Sequence, residues 1–149
     1  MASALLDAGA VVALINRGDK HHASAARWFS EFRGTLLTTD AVIAETAYVL
    51  ADRVAHQLAA LEWFERMSRG GLLRVESVSD HGKIGGIIER YQDLPCDYAD
   101  ATLIALAEQT GIVGVATIDQ RDFSVYRAKG KRSFLNLIPR GFAKVTAVG

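Results

Sequence analysis

Acidic side chains recur in this sequence at positions where packing does not ask for them. Asp7 directly follows the apolar pair Leu5-Leu6, and Glu45 lies in the helical stretch that begins near Asp40. Asp97 and Asp100 open a long apolar helical run, while Asp119 and Asp122 stand at the end of the short aliphatic run that follows it. Carboxylates gathered within a few ångströms repel one another unless some hold a proton or a cation neutralises them. An all-oxygen donor set suits Mg²⁺ or Mn²⁺, and a Mg²⁺ site commonly takes one or two carboxylates together with waters and substrate phosphates. The chemistry on offer at such a site is activation of a water and stabilisation of the leaving oxygen in an in-line phosphodiester displacement. One ion suffices to activate water, whereas two would draw on Asp7, Glu45, Asp100 and Asp119 together.

Taken singly, most of these acids have a plain structural account. Asp97 and Asp100 have the spacing of a reciprocal N-cap, and an acid there also suits the helix dipole. Glu45 reads as a solvated surface residue, and Asp119 as a turn former after a strand. Asp40 is assigned to helix capping. Asp7 is the exception, because a carboxylate set directly after two leucines is costly to bury unpaired.

Other chemistries find less support. His21, His22, His56 and His81 have no metal-ligand spacing, and Cys96 is the only cysteine, so no zinc set forms. Neither a nucleophile elbow nor a Gly-rich phosphate loop is present.

The elements that would position the acids follow from periodicity. Residues 3–7 read as a buried strand ending in Asp7, and the small and aliphatic residues to Asn16 as a first helix. Asp19 is placed to cap a second helix, in which Ala25, Trp28, Phe29 and Phe32 form an apolar stripe that serves as core or as a groove for a partner helix. Residues 35–39 are strand-like. A third helix places Ile43, Ala47, Leu50, Ala51 and Val54 on one face, with Glu45 about 200° around from Ile43. A fourth helix spans about 56–68, and a third strand lies within 72–78. A fifth helix carries Ile84, Ile87, Ile88 and Tyr91 at i, i+3, i+4 and i+7. Leu94-Pro95 breaks the chain before the helix that Gly111 ends. After Asp119 come an irregular turn and a last strand within 132–138. The order β-α-α-β-α-α-β-α-α-β-β implies a three-layer α/β domain with a mainly parallel sheet. Asp97 and Asp100 at a helix start and Asp7 and Asp119 after strands then share the rim where ligands bind in such sheets.

At 149 residues, half of them hydrophobic, residues 1–149 read as one domain. A single cysteine suits a reducing cytoplasm. No apolar run approaches the ~20 residues of a membrane span, and residues 1–16 lack the basic start of a signal peptide. Net charge is zero, but residues 1–120 hold 10 basic and 16 acidic side chains. Residues 121–149 set Arg121, Arg127, Lys129, Lys131, Arg132, Arg140 and Lys144 against Asp122 alone. An acidic body with a basic end either binds a polyanion locally or carries a solvated tail.

This pattern resembles the PIN-domain nucleases, and within them the VapC-type toxins of toxin–antitoxin pairs. The resemblance runs along nearly the whole chain: Leu5-Leu6-Asp7, Asp40 through Glu45, Asp100-Ala101 with Ala105 through Glu108, and Thr117-Ile118-Asp119-Gln120-Arg121-Asp122-Phe123. It implies a PIN-like α/β/α fold with a five-stranded parallel sheet, and Mg²⁺- or Mn²⁺-dependent endoribonuclease activity. It also implies restraint by a cognate antitoxin protein, and a homodimer. Asp7, Glu45, Asp100 and Asp119 carry over as metal-site residues, Asp97 and Asp122 as auxiliaries, and Thr117 as a hydroxyl bonded to the acid cluster. The basic residues Arg121, Arg127, Lys129, Lys131 and Arg132 would fit an RNA-contacting rim. One departure is Ala8-Gly9, where the family often has a Ser or Thr; it favours the alternative of a PIN-like module that binds RNA or protein without cleaving. A haloacid-dehalogenase-type phosphohydrolase needs a second Asp two residues after the first, where this chain has Gly9.

Overall fold

The computed structural model describes residues 2–94, 96–128 and 132–139, excepting the side chains of residues 120–122. Its first strand, β1 (Ala2–Leu6), runs into α1 (Ala8–Ile15) and α2 (His22–Glu31), and the pattern repeats with β2 (Gly34–Thr39), α3 (Asp40–Val49) and α4 (Val54–Arg69). It repeats again with β3 (Leu73–Glu76), α5 (His81–Arg90) and α6 (Tyr98–Thr110). The chain then passes through β4 (Gly114–Ala116), α7 (Gln120–Val125), β5 (Arg127–Ala128), β6 (Arg132–Ser133) and β7 (Leu135–Asn136). The main sheet has five strands in the order β3-β2-β1-β4-β7, and every pairing in it is parallel. The expected α/β/α arrangement is therefore present.

Alternation along the strands builds two cores. Leu5, Leu37 and Val115 point to one face of the sheet, where they meet Leu103, Ile104 and Leu106 of α6 and Ile84 and Ile87 of α5. Leu6, Leu36 and Ala116 point to the other, against Val11 and Val12 of α1, Trp28 of α2 and Phe64 of α4. Central strands covered on both faces have no polar side to alternate with, which is why Leu5-Leu6 and Leu36-Leu37 are uninterrupted apolar pairs. The Trp28, Phe29 and Phe32 stripe belongs to this second core. Trp28 lies 5.5 Å from Phe32 between ring centroids, and Phe29 lies 5.6 Å from Trp63.

Several local expectations are corrected. Thr39, not Asp40, caps α3, accepting from the Val42 N–H at 3.3 Å, and Asp40 instead accepts from the Ser77 hydroxyl at 2.9 Å. Asp19 accepts from the His21 N–H in a turn ahead of α2, whose N-cap position is His21 itself. α3 buries Val42 and Thr46, which were not in the stripe read from Ile43; of that stripe Leu50 is buried and Ile43 partly so, while Ala51 is exposed and Val54 begins α4. The stretch after Asp119 is a short helix, not an irregular turn. The run 132–138 changes partner midway: β6 pairs antiparallel with β5, and β7 pairs parallel with β4.

Candidate active site

Four strand and helix ends converge on one rim of the sheet. β1 ends at Leu6, so Asp7 is the first residue beyond it, and the Asp7 N–H still reaches the Ala116 carbonyl of β4 at 3.1 Å. That bond ties the starting points of Asp7 and of the Thr117–Asp119 segment to each other. β2 ends at Thr39, which puts Glu45 in the second turn of α3. Asp97 and Asp100 stand at the start of α6, facing the same rim.

Asp7 is 5% exposed, and both its oxygens are engaged. Oδ1 accepts from the Ala8 N–H at 2.8 Å, which caps α1, and Oδ2 accepts from the Thr117 hydroxyl at 2.8 Å. The Thr117 oxygen in turn accepts from the Asp119 N–H at 2.8 Å. Thr117 thus ties two of the acid positions together. Burial pushes the Asp7 carboxyl up to about 6 against these donors, with Asp119 and Asp97 adding repulsion.

At the head of α6 the reciprocal cap forms in full. Asp97 accepts from the Asp100 N–H at 2.8 Å, and Asp100 Oδ2 accepts from the Asp97 N–H at 3.4 Å. Asp100 also receives the Tyr126 hydroxyl on Oδ2, at 3.3 Å. Burial first, then the charges of Asp7 and Asp97, push Asp100 up to about 8. Glu45 is raised to about 8 as well, chiefly by a hydrogen bond with Asp97 and then by burial. Two carboxyl groups share a hydrogen bond only when one of them holds a proton.

Asp7, Glu45, Asp97, Asp100 and Asp119 therefore sense one another's charge. Among the described residues, however, no group of three or more Asp, Glu, His or Cys side chains closes into a metal-ligand set. The donors are oxygen only, Asp100 and Glu45 are raised by burial, hydrogen bonding and neighbouring carboxylates, and among the described residues Asp100 Oδ1 receives no hydrogen bond. That chemistry fits a hard divalent cation completed by water and phosphate oxygens, and it does not fit zinc.

The basic positions are placed unevenly. Arg127 is half-buried, and its guanidinium donates to the carbonyls of Ser124, Val125 and Tyr126 at 2.6–2.9 Å. Arg132 is exposed on β6. Arg121 and Asp122 belong to α7, with side chains outside the description, and Lys129 and Lys131 lie outside the described residues. Tyr126 is the residue at this site that sequence reasoning missed. Its signal was the pair Phe123 and Tyr126 at i, i+3, whose rings stack edge-on at 5.1 Å.

The PIN domain family model matches residues 4–129. Ribonuclease VapC26 of Mycobacterium tuberculosis (strain ATCC 25618 / H37Rv) is 25% identical over 138 residues, which cover 87% of this chain and 96% of that protein. The crystal structure of Mycobacterium tuberculosis VapC20, a sarcin-ricin loop cleaving toxin, has a fold similar to this one. The TM-score is 0.68 at 24% identity, over 80% of this chain and 92% of that one. That second likeness is one of fold.

Proposed function

Because this chain belongs to the PIN domain family, we propose that it is a divalent-metal-dependent endoribonuclease and the toxin of a toxin–antitoxin pair. The observation that carries this reading is the rim of repelling carboxyls, with Glu45 and Asp100 both raised to about 8. A fold that holds acids so close carries an electrostatic cost that a bound cation removes. The similarity to a protein named as a ribonuclease supports the substrate class.

In this reading Asp7, Glu45, Asp100 and Asp119 hold Mg²⁺ or Mn²⁺, with Asp97 and Asp122 as auxiliaries. When bound, the cation activates a water and stabilises the leaving oxygen of the phosphodiester. The protein's own share is orientation. Thr117 fixes the rotamer of Asp7 and the backbone of Asp119, and the α6 cap fixes Asp97 and Asp100. The basic end of the sequence, with Arg121, Lys129, Lys131 and the exposed Arg132, is assigned the polyanion-facing charge, and Arg127 braces the end of α7.

A partner protein has a place to dock. Tyr48 and Val49 of α3 and Val54, Leu58 and Leu61 of α4 are all exposed apolar side chains, and such strips mark protein interaction sites. We assign this strip to the antitoxin, and place the protein in the cytoplasm as a homodimer built from one domain over residues 1–149.

The test is cleavage of an RNA panel with Mg²⁺, Mn²⁺ or chelator, by the parent chain and by Asp7→Asn and Asp100→Asn. Cleavage that requires the metal and is lost in both variants is expected. Metal-dependent cleavage that survives both substitutions refutes the assignment. The Ala8-Gly9 pair favours one other reading, a PIN-like module that binds without cutting. Calorimetric titration with Mn²⁺ separates the two, because heat that disappears in Asp7→Asn belongs to the enzyme.

A further inference from the structure

Tyr126 stands out among the groups around the acid rim because it sits in the link between α7 and β5, apart from the elements that carry Asp7, Glu45, Asp97 and Asp100. Its side chain is fully buried between Tyr91, 5.0 Å away between ring centroids, and Phe123, 5.1 Å away. Tyr91 is itself fixed, because its hydroxyl accepts from the Arg127 N–H at 2.8 Å. The Tyr126 ring therefore has little freedom, and its hydroxyl is delivered to Asp100 Oδ2 at 3.3 Å.

The two oxygens of Asp100 are consequently unequal. Oδ2 receives both the Tyr126 hydroxyl and the Asp97 N–H, whereas Oδ1 has no hydrogen-bond donor among the described residues. A carboxylate held this way has one oxygen committed to the protein and one left to coordinate. Outer partners that orient a ligating carboxylate in this manner typically change metal affinity by 10–100-fold when removed. We propose that Tyr126 is a positioning residue that orients Asp100, presenting Oδ1 to the cation; this rests on the acid-rim reading above. The phenol also offsets part of the repulsion on Asp100 without adding a charge that would compete with the cation. Only Tyr meets both needs here, since the ring must fill the space between Tyr91 and Phe123 while the para position donates.

Tyr126→Phe keeps the ring and removes the donor. Mn²⁺ binding to the full-length chain, measured by titration calorimetry, is expected to weaken about tenfold or more. At saturating Mn²⁺, kcat for RNA cleavage is expected to fall while KM for the RNA stays within about twofold, because the variant touches orientation rather than substrate binding. Unchanged Mn²⁺ affinity in a folded Tyr126→Phe chain overturns the proposal. So does a chain that fails to fold, because a positioning role leaves the packing of the ring intact. If the parent chain binds no Mn²⁺, or binds it equally well as Asp100→Asn, it is the acid-rim reading that has failed. Parent binding that Asp100→Asn abolishes and Tyr126→Phe leaves untouched removes Tyr126 alone.

Discussion

Replacing Asp7 by Asn in the metal-free chain should stabilise it at neutral pH and destabilise it in acid. Asp7 has its folded pKa raised from 3.8 to about 6, with burial as the main cause. Below pH 4 both the folded and unfolded chains hold that proton, and there is no penalty. Between pH 4 and 6 the unfolded chain releases it first, so stability falls as the pH rises. Above pH 6 the whole penalty is present, roughly 3 kcal/mol for about two pKa units. Asparagine removes it. Its carbonyl still accepts from the Ala8 N–H, but its amide must now donate to Thr117, whose hydroxyl had donated to Asp7; that re-pairing costs about 1 kcal/mol. The net expectation is a gain of about 2 kcal/mol at pH 7.5, or about 4–8 °C in Tm for a chain of this size. At pH 4 the same substitution should lose about 1 kcal/mol, since only the re-pairing cost remains. Urea denaturation in chelator at the two pH values measures both. An effect of the same sign and size at pH 4 and pH 7.5 would refute the account of Asp7 as a buried, repelled carboxyl.

Three further expectations concern the same rim. Mn²⁺ binding should strengthen as the pH rises from 6 to 8 and should release protons, because Glu45 and Asp100 are raised to about 8 and must deprotonate to ligate; calorimetry in two buffers of different ionisation heat counts those protons. Thr117→Val should cost about 1–3 kcal/mol, as it strips a donor from buried Asp7 and an acceptor from the Asp119 N–H. That loss should be larger at pH 8 than at pH 4, and denaturation at the two values reads it. Gly9→Ala should cost about 1–3 kcal/mol by overpacking, because the new Cβ would stand 2.7 Å from Ile118 Cγ1; pairing it with Ile118→Ala should restore stability in the same assay.

The last of these bears on the Gly9 half of the Ala8-Gly9 departure. Ile118 lies between Thr117 and Asp119, and its side chain occupies the space that a Ser at position 9 would need. The first turn of α1 can press against the Thr117–Asp119 segment because position 9 has no side chain. A sequence displays the missing hydroxyl but not the isoleucine that fills its place.

What was legible from sequence was what nearby residues dictate together. Leu5-Leu6-Asp7 announced a buried strand with an acid at its end, and Asp97, Asp100 and Gly111 marked both ends of α6. Gly111 closes that helix at φ 79°, where a residue without Cβ is at ease. Capping was ambiguous where two competent residues adjoin. Thr39 and Asp40 are both good caps, and the choice fell to Thr39 because Ser77, far along the chain, engages Asp40. The strand read over 132–138 failed for a related reason. Period-two alternation is unaffected when a strand exchanges one partner for another, so the passage from β5 to β4 leaves no mark in the residues. Tyr126 was missed because it follows α7, a helix of six residues, so that the Phe123 and Tyr126 pair was its whole periodic signal.

The order of the sheet also bears on when the acid rim is completed as the protein is made. β4 lies beside β1 at the centre, yet it is separated from it by more than a hundred residues of chain. Asp7 and Glu45 leave the ribosome early, but Asp7 gains its Thr117 hydroxyl, and the rim its Asp119, only when the fourth strand inserts. Translation proceeds at about 5–20 residues per second, so several seconds separate the first acid from the last. During that interval a growing chain holds the early half of the rim without the partners that orient it. On the ribonuclease reading proposed above, a rim built in this order stays incomplete, and its cleavage chemistry out of reach, until the fourth strand has been made and has paired with the first.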